Sequence, residues 1–316
     1  VNRQSISIES EQQWLQLRHA DITSTEVAAL FNLSPYITPY ELFVRKCSNE
    51  VIKIQPNERM RWGNRLEAAI ANGVAEDMKW AIRKSSDYIR LPDQRIGSSF
   101  DYWIDKSNHD GPGILEVKNV DSSAYSNHWI ESGDHVEAPE HIELQVQHQL
   151  LVSGLEWAAI VALVGGNTTK IIVRPRDPRI SQAILDKVGN FWDMVKKGQA
   201  PDIDYHRDSE FIIKELRNRA NAGEVVNADQ DLEQLILKYR GASAACAAAE
   251  QSRDALKAEI LMRIGTASKV ISTYGTLSCG VTDPSPGKMV TADMVGLHIG
   301  ARAGFRQFRF NTKKVK

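Results

Sequence analysis

At 316 residues the chain exceeds the ~250–300 residues at which a single core usually stops growing, which leaves room for two domains or one large domain with an appendage. With 42% hydrophobic and 25% charged residues, 11 prolines, and three cysteines set far apart (Cys47, Cys246, Cys279), it is neither disordered nor fibrous, and it has no disulfide framework or Cys-x-x-Cys metal site. The 39 basic and 40 acidic residues, net −1, speak against a nucleic-acid partner only weakly, because an enzyme that holds cations gathers carboxylates and can confine its basic surface to a groove.

No apolar run approaches the ~18 residues of a membrane span, and the first residues, Val1-Asn2-Arg3-Gln4, lack the apolar segment of a signal peptide. A cytosolic chain with no membrane partner is expected. In chain order, residues 9–46 read as two short helices around a turn at Ser34-Pro35-Tyr36, with Trp14, Leu17, Val27, Leu30 and Phe31 as apolar anchors. Asn57 suits an N-cap, and Leu66, Ile70, Val74 and Met78 recur every four residues, so an amphipathic helix runs to about Trp80. Residues 93–105 and 113–120 read as neighbouring antiparallel strands joined by a turn at 106–112. Pro139 suits the first turn of a helix that carries Ile142, Val146 and Leu150 on one stripe and ends at Gly154. Strands at 157–163 and 170–173 and a helix at 180–196 then complete an α/β unit, so a first domain 1–204 and an appendage 205–316 are expected.

The appendage has a different character. Residues 229–264 contain no proline, and Leu232, Leu235, Tyr239, Ala242, Cys246, Ala249, Leu256 and Ile260 follow a heptad-like seam interrupted by Arg253. This is either a helical arm or hairpin, or a helix packed on its own domain. A hairpin at 269–282 around Tyr274-Gly275, a loop at 283–287 and a terminal strand at 305–310 follow, and residues 301–316 carry six basic side chains and no acidic one.

The chemistry concentrates on Asp101 and on Glu116-Val117-Lys118. Alternate strand residues share a face, so Glu116 and Lys118 point one way while Val117 points into the core, and antiparallel pairing can bring Asp101 beside Glu116. Two carboxylates and a lysine in one cleft offer oxygen ligands for a hard divalent cation and a group that acts on water. Taken alone, the same residues describe a solvated strand face. Glu67 projects from a helix side whose flanking positions, Gly63 and Ala71, are small enough to approach a sheet, although it also reads as a surface glutamate. Gln145 and Gln149 lie one turn apart beside an apolar stripe and need partners, either a lysine or backbone groups. His141 and His148 read as ordinary polar residues, and the Phe305–Phe310 stretch as an edge strand before a base-stacking one.

These pieces, in this order over roughly residues 14–201, resemble the YqaJ-type viral recombinases, relatives of the lambda-type exonuclease in the PD-(D/E)xK nuclease superfamily. The likeness rests on Leu17-Arg18, Ile22-Thr23-Ser24-Thr25-Glu26-Val27, Ser34-Pro35-Tyr36, Gly63-Asn64 with Glu67, Asp101, Glu116-Val117-Lys118, Trp129, and residues 141–147. It implies a restriction-endonuclease-like α/β core, a mixed sheet flanked by helices, with a mainly helical C-terminal appendage. It further implies that Asp101, Glu116 and the carbonyl of Val117 bind one or two Mg²⁺ or Mn²⁺ ions with Glu67 contributing. Lys118 would position the attacking water, Gln145 would support it, and Arg18 and Thr25 would hold a terminal 5′-phosphate. Thr25 departs from the serine expected there, though its hydroxyl makes the same bond.

The function so implied is metal-dependent hydrolysis of linear duplex DNA from a 5′ end, leaving 3′ overhangs for recombination. A single-strand annealing protein is the expected partner, a trimeric or tetrameric ring the expected assembly, and a bacterial host cytoplasm the setting of a phage or prophage protein. The competing readings are an endonuclease on the same fold, favoured if Arg18 and Thr25 face away from the metal site, and a non-catalytic DNA-binding scaffold.

Overall fold

A computed structural model describes residues 2–48, 57–133, 135–216 and 224–284, with the backbone of 305–306 and 309–312. Inter-residue contacts divide the chain into two units, Val1–Asn221 and Ala222–Lys316. The first unit begins with β1 (Gln4–Ser7), α1 (Glu11–Ala20), β2 (Ile22–Thr23), α2 (Val27–Leu30), α3 (Pro39–Cys47) and α4 (Glu58–Met78). It continues through β3 (Ala81–Lys84), β4 (Asp87–Leu91), β5 (Ile96–Ser99), β6 (Tyr102–Lys106), β7 (Gly113–Val120) and α5 (Ser122–His128). It ends with β8 (Ile130–Ser132), β9 (His135–Glu137), α6 (Glu140–Ser153), β10 (Trp157–Val164), β11 (Thr168–Pro175), α7 (Pro178–Lys197) and α8 (Tyr205–Leu216).

The central sheet has the strand order β11-β10-β7-β6-β3. Its only parallel pair is β7 with β10, where Glu116 lies opposite Ile160; the other neighbours run antiparallel. This is the mixed sheet flanked by helices that the motifs led one to expect. Alternation along β7 sends Leu115 and Val117 to one face, into a core with Ile70, Ala71 and Val74 of α4. Ile114 faces the other way, into a core with Ile142, Val146 and Leu150 of α6. A second sheet, β1-β4-β5-β2, covers the far side of α6. Held between two sheets, α6 is buried nearly all round, including Gln145, Gln147, His148 and Gln149. A helix so enclosed must satisfy its polar side chains internally.

Several elements differ from their sequence reading. Residues 93–105 are two strands rather than one: β5 belongs to the second sheet and β6 to the central one, and the chain changes sheets at Phe100-Asp101. Residues 9–46 form three helices, because Thr38 caps a separate α3 by accepting the backbone N–H of Glu41. The pair β3 and β4 went unseen between the helix of Asn57 and the strands. Gly63 does not approach the sheet, since a Cβ there would meet nothing within 4 Å, whereas Ala71 is fully buried. Beyond residue 204, α8 packs on α3: buried Asp208 accepts from the Thr38 hydroxyl, and Arg207 donates to the Ser34 carbonyl at 2.5 Å.

The second unit contains α9 (Gln230–Ile264), one continuous helix capped by Asp229 with no buried residue along its length. Then come β12 (Lys269–Ile271), β13 (Gly275–Ser278), β14 (Val281–Thr282), β15 (Phe305–Arg306) and β16 (Arg309–Thr312). The expected hairpin is present, with β13 antiparallel to both β12 and β16. Residues 285–287 of the loop expected at 283–287, and the side chains of 301–316, lie outside the described residues.

Candidate active site

The floor of the site is the α6-facing side of β7. Glu116 is only 2% exposed, and each of its oxygens is engaged. Oε1 accepts from Lys118 Nζ at 2.5 Å and from Gln145 Nε2 at 2.6 Å, while Oε2 accepts from Gln149 Nε2 at 2.7 Å. Gln145 Oε1 accepts from Lys118 at 3.1 Å, which closes a triangle of Glu116, Lys118 and Gln145. The two glutamines are one turn apart on α6, so one helix face grips both oxygens of a strand carboxylate. Such bonds hold a carboxylate in one orientation in advance of any ligand.

Asp101 occupies the crossing between β5 and β6. Its backbone carbonyl accepts from Ser85 N–H at 3.1 Å, and its Oδ2 accepts from Val117 N–H at 2.8 Å, prolonging the β6–β7 ladder with a side chain. Burial, and next the charge of Glu116, push the Asp101 carboxyl up to about 8. Burial pulls the Lys118 ammonium down, but Glu116 and Asp101 outweigh it and hold Lys118 above the ordinary lysine value. Lys118 is therefore a fixed proton donor in this arrangement and not a free base. The cluster is short of positive charge, and one lysine does not allow both acids to ionise.

A divalent cation fits that deficit. Asp101 and Glu116, with the carbonyl of Val117 between Glu116 and Lys118 in the chain, would offer oxygen donors of the kind that Mg²⁺ and Mn²⁺ prefer. Among the described residues no group of three His, Cys, Asp or Glu side chains is gathered as a ready cage. Glu67 is turned toward Lys84 of β3, with which it forms an ion pair, and Lys84 also lies over the Tyr102 ring, 4.8 Å from its centroid. The charge of Glu67 still contributes to raising Asp101.

Arg18 and Thr25 meet each other: Arg18 Nη2 donates to Thr25 Oγ1 at 3.0 Å. Arg18 also lies over the Trp14 ring, 4.6 Å from its centroid, and the Trp14 indole donates to Ser99 Oγ at 2.9 Å. Thr25 lines a pocket of about 230 Å³ together with Tyr36, Lys118, His141 and Gln145, so this corner opens on the same space as the lysine and the glutamine that hold Glu116. A wider groove of about 1120 Å³ leads from Lys118 past Tyr36, Arg59, Asn119, His128 and Trp129.

Comparison with known proteins bears on this geometry. Residues 13–156 match the YqaJ-like viral recombinase domain. The resemblance carried by the motifs holds. The chain is 27% identical over 208 residues to YqaJ of Bacillus subtilis (strain 168), itself uncharacterized, covering 65% of this chain and 63% of that relative's length. An alkaline exonuclease from Laribacter hongkongensis superposes with a TM-score of 0.48 at 16% identity, over 66% of this chain and 100% of that one. A phage-related exonuclease from Haemophilus somnus 129PT gives a TM-score of 0.39 at 10% identity, over 59% of this chain and 100% of that one.

Every candidate site residue named from the sequence lies inside the YqaJ-like segment, and the structure brings Asp101, Glu116, Lys118 and Gln145 together. Two lysines in the segment escaped the sequence reading. Lys84 sits on a strand that went unseen. Lys46, at the end of α3, is buried and donates to the carbonyls of Arg18 and Asp21, each at 2.7 Å, and to Glu26 Oε2 at 2.9 Å. Glu26 in turn accepts from Thr23 N–H at 3.0 Å and Thr23 Oγ1 at 2.9 Å. Burial pushes Glu26 up, but the charges of Lys46 and Arg18 prevail and keep it below the usual glutamate value. This buried pair braces the segment that carries Arg18 and Thr25, and no spacing rule links positions 20 apart. His148 is fully buried, with Nε2 3.2 Å from the Ile22 carbonyl, and burial lowers it to about 4, so it is a neutral core residue.

Proposed function

We propose that this protein is a metal-dependent deoxyribonuclease that removes nucleotides from a 5′-phosphorylated end of linear duplex DNA, leaving a 3′ overhang for recombination. The observation that carries the reading is the Asp101–Glu116–Lys118–Gln145 cluster, whose Lys118 and Gln145 line the same pocket as Thr25, which Arg18 touches. Asp101, Glu116 and the Val117 carbonyl would hold Mg²⁺ or Mn²⁺, with Glu67 joining once it leaves Lys84. The ion supplies Lewis acidity to the scissile phosphate and to the attacking water.

The protein's own groups have separable tasks. Gln145 and Gln149 fix both oxygens of Glu116, so the carboxylate cannot rotate away from the ion. Lys118, kept protonated, donates a hydrogen bond to water or to a phosphate oxygen and holds it in line. Arg18 offers a charge-assisted fork and Thr25 a hydroxyl to a terminal phosphate, fixing how far the strand enters. The same reading includes an annealing protein as partner and a ring of three or four copies, for which the mass in solution is the check.

The test compares three duplexes in the presence of Mg²⁺: linear with 5′-phosphate, linear with 5′-hydroxyl, and closed circular. The proposal expects rapid loss of the first, slower loss of the second and none of the third. Equal cutting of the circle makes the protein an endonuclease. Binding without cutting of any substrate makes it a scaffold.

A further inference from the structure

Tyr36 stands at the mouth of the site with its ring 80% exposed, although the residues around it in the chain, Ser34 and Ile37, are buried. Its backbone is fixed from several sides. Ser34 Oγ accepts the N–H groups of Tyr36 at 3.2 Å and Ile37 at 3.3 Å, the Ser34 carbonyl accepts from Arg207, and Thr38 is tied to buried Asp208. A ring carried on such a segment keeps its place without being covered.

Among the described residues one ring meets it, and a tyrosine this exposed keeps a face open to solvent. The His141 ring meets Tyr36 at a centroid distance of 5.7 Å and an interplanar angle of 86°. Burial, and next the charge of Lys118, pull His141 below its ordinary value, so at neutral pH it is an uncharged wedge that sets the tilt of the tyrosine. The tyrosine forms part of the wall of the pocket with Thr25, Lys118 and Gln145, and equally of the wider groove past Trp129 and Arg59. An aromatic face that is rigid, uncovered and flanked by phosphate-binding groups matches a nucleobase. Tyr36 and Lys118 line the same pockets, so a sugar–phosphate chain held at Lys118 would bring its bases into the space that the ring borders. Stacking on an aromatic ring is tolerant of sequence because every base presents a π-face.

We infer that Tyr36 is the stacking platform for the base of the nucleotide on the 5′ side of the scissile phosphate. This rests on the nuclease reading above and assigns the residue that seats the nucleoside between the terminal phosphate and the scissile one. The tyrosine hydroxyl is not needed for the role, and the ring is.

The experiment measures kcat/KM of wild type, Tyr36→Phe and Tyr36→Ala on a 5′-phosphorylated duplex whose terminal nucleotide either carries its base or is abasic. Tyr36→Phe should stay within about twofold of wild type, and Tyr36→Ala should lose on the order of ten- to a hundredfold on the normal end, the worth of one base stack. On the abasic end wild type and Tyr36→Ala should be equal, because the partner of the ring is gone. An equal loss from Tyr36→Ala on both ends, or no loss on either, overturns the platform while leaving the nuclease reading intact. A wild type that cuts neither duplex overturns the nuclease reading and the platform together. Because Tyr36 is exposed, an unchanged melting temperature for both variants is expected and separates stacking from folding.

Discussion

The floor of the site and its rim each hold a glutamate–lysine pair, and burial makes them different devices. On the floor, Glu116 and Lys118 are 3% and 24% exposed at the side chain and share the amide of Gln145, while Gln149 holds the second oxygen of Glu116. On the rim, Glu67 and Lys84 are 21% and 56% exposed, and Lys84 comes from the strand β3 at the edge of the central sheet. The floor pair cannot separate without leaving an unpaired charge out of water, whereas the rim pair exchanges with solvent and ions at little cost. The lesson is that the first pair is built to hold one geometry, whereas the second, under the proposed function, would yield its carboxylate to a cation.

Breaking the floor should give the largest effect. Lys118→Ala is expected to lower cleavage by ~10²–10⁴-fold while leaving the fold and Mn²⁺ binding in place, since a positioned proton-handling group is worth that much. Asp101→Ala should lose Mn²⁺ binding as well, and calorimetric titration separates the two outcomes. A Lys118→Ala enzyme with more than about a tenth of wild-type activity would remove Lys118 from the mechanism.

Next comes the buried pair that belongs to neither floor nor rim. Lys46→Met takes from Glu26 its cation and from the carbonyls of Arg18 and Asp21 their donor, and denaturant unfolding should show a loss of ~3–5 kcal/mol. Exchanging both partners for apolar residues should return most of it. A smaller effect, confined to substrate choice, is expected at the phosphate corner. Arg18→Ala should lower kcat/KM on 5′-phosphorylated ends by on the order of tenfold, the worth of a charge-assisted bond, and change 5′-hydroxyl ends little. Equal losses on both would assign Arg18 to bracing its Trp14 and Thr25 neighbours.

The rim sharpens the comparison by its insensitivity. Lys84→Ala should cost no more than about 1 kcal/mol of stability, as exposed pairs do, and should leave Mn²⁺ affinity equal or tighter because Glu67 is released. Weaker Mn²⁺ binding in that variant would mean that Lys84 supports the ion rather than competing with it.

The floor was legible in the sequence and the rim was not, for physical reasons. Alternation along 113–120 assigns Glu116 and Lys118 to one face without knowledge of the fold, and the four-residue step from Gln145 to Gln149 places both amides on one helix side. The expectation that Asp101 lies beside β7 holds, although it sits at a crossing between two strands and not within one. Its function as a ladder cap depends on the switch between sheets at Phe100-Asp101, which local propensity does not signal. Lys84 lies on a four-residue strand whose pairing with β6 is set by tertiary contacts. Lys46 resembles any lysine in the last turn of a helix until three acceptors 20 to 28 positions away are seen to converge on it. The heptad-like seam of the second unit predicted a helix correctly, and a period alone does not name what the helix touches.

The most direct test is titration of Mn²⁺ into the protein by calorimetry at pH 7 in two buffers of different ionisation enthalpy. Asp101, lifted to about 8, is mostly protonated there, and its carboxyl must ionise to bind the ion. The sign follows for stability too. A raised carboxyl favours the folded protein at low pH, and that contribution fades as pH climbs from about 4 through about 8, so Mn²⁺ should raise the melting temperature more at pH 8 than at pH 5. The account predicts release of close to one proton per ion at pH 7, abolished in Asp101→Asn. Binding without proton release, or release that survives Asp101→Asn, would contradict the claim that the buried Asp101–Glu116 pair is the cation site.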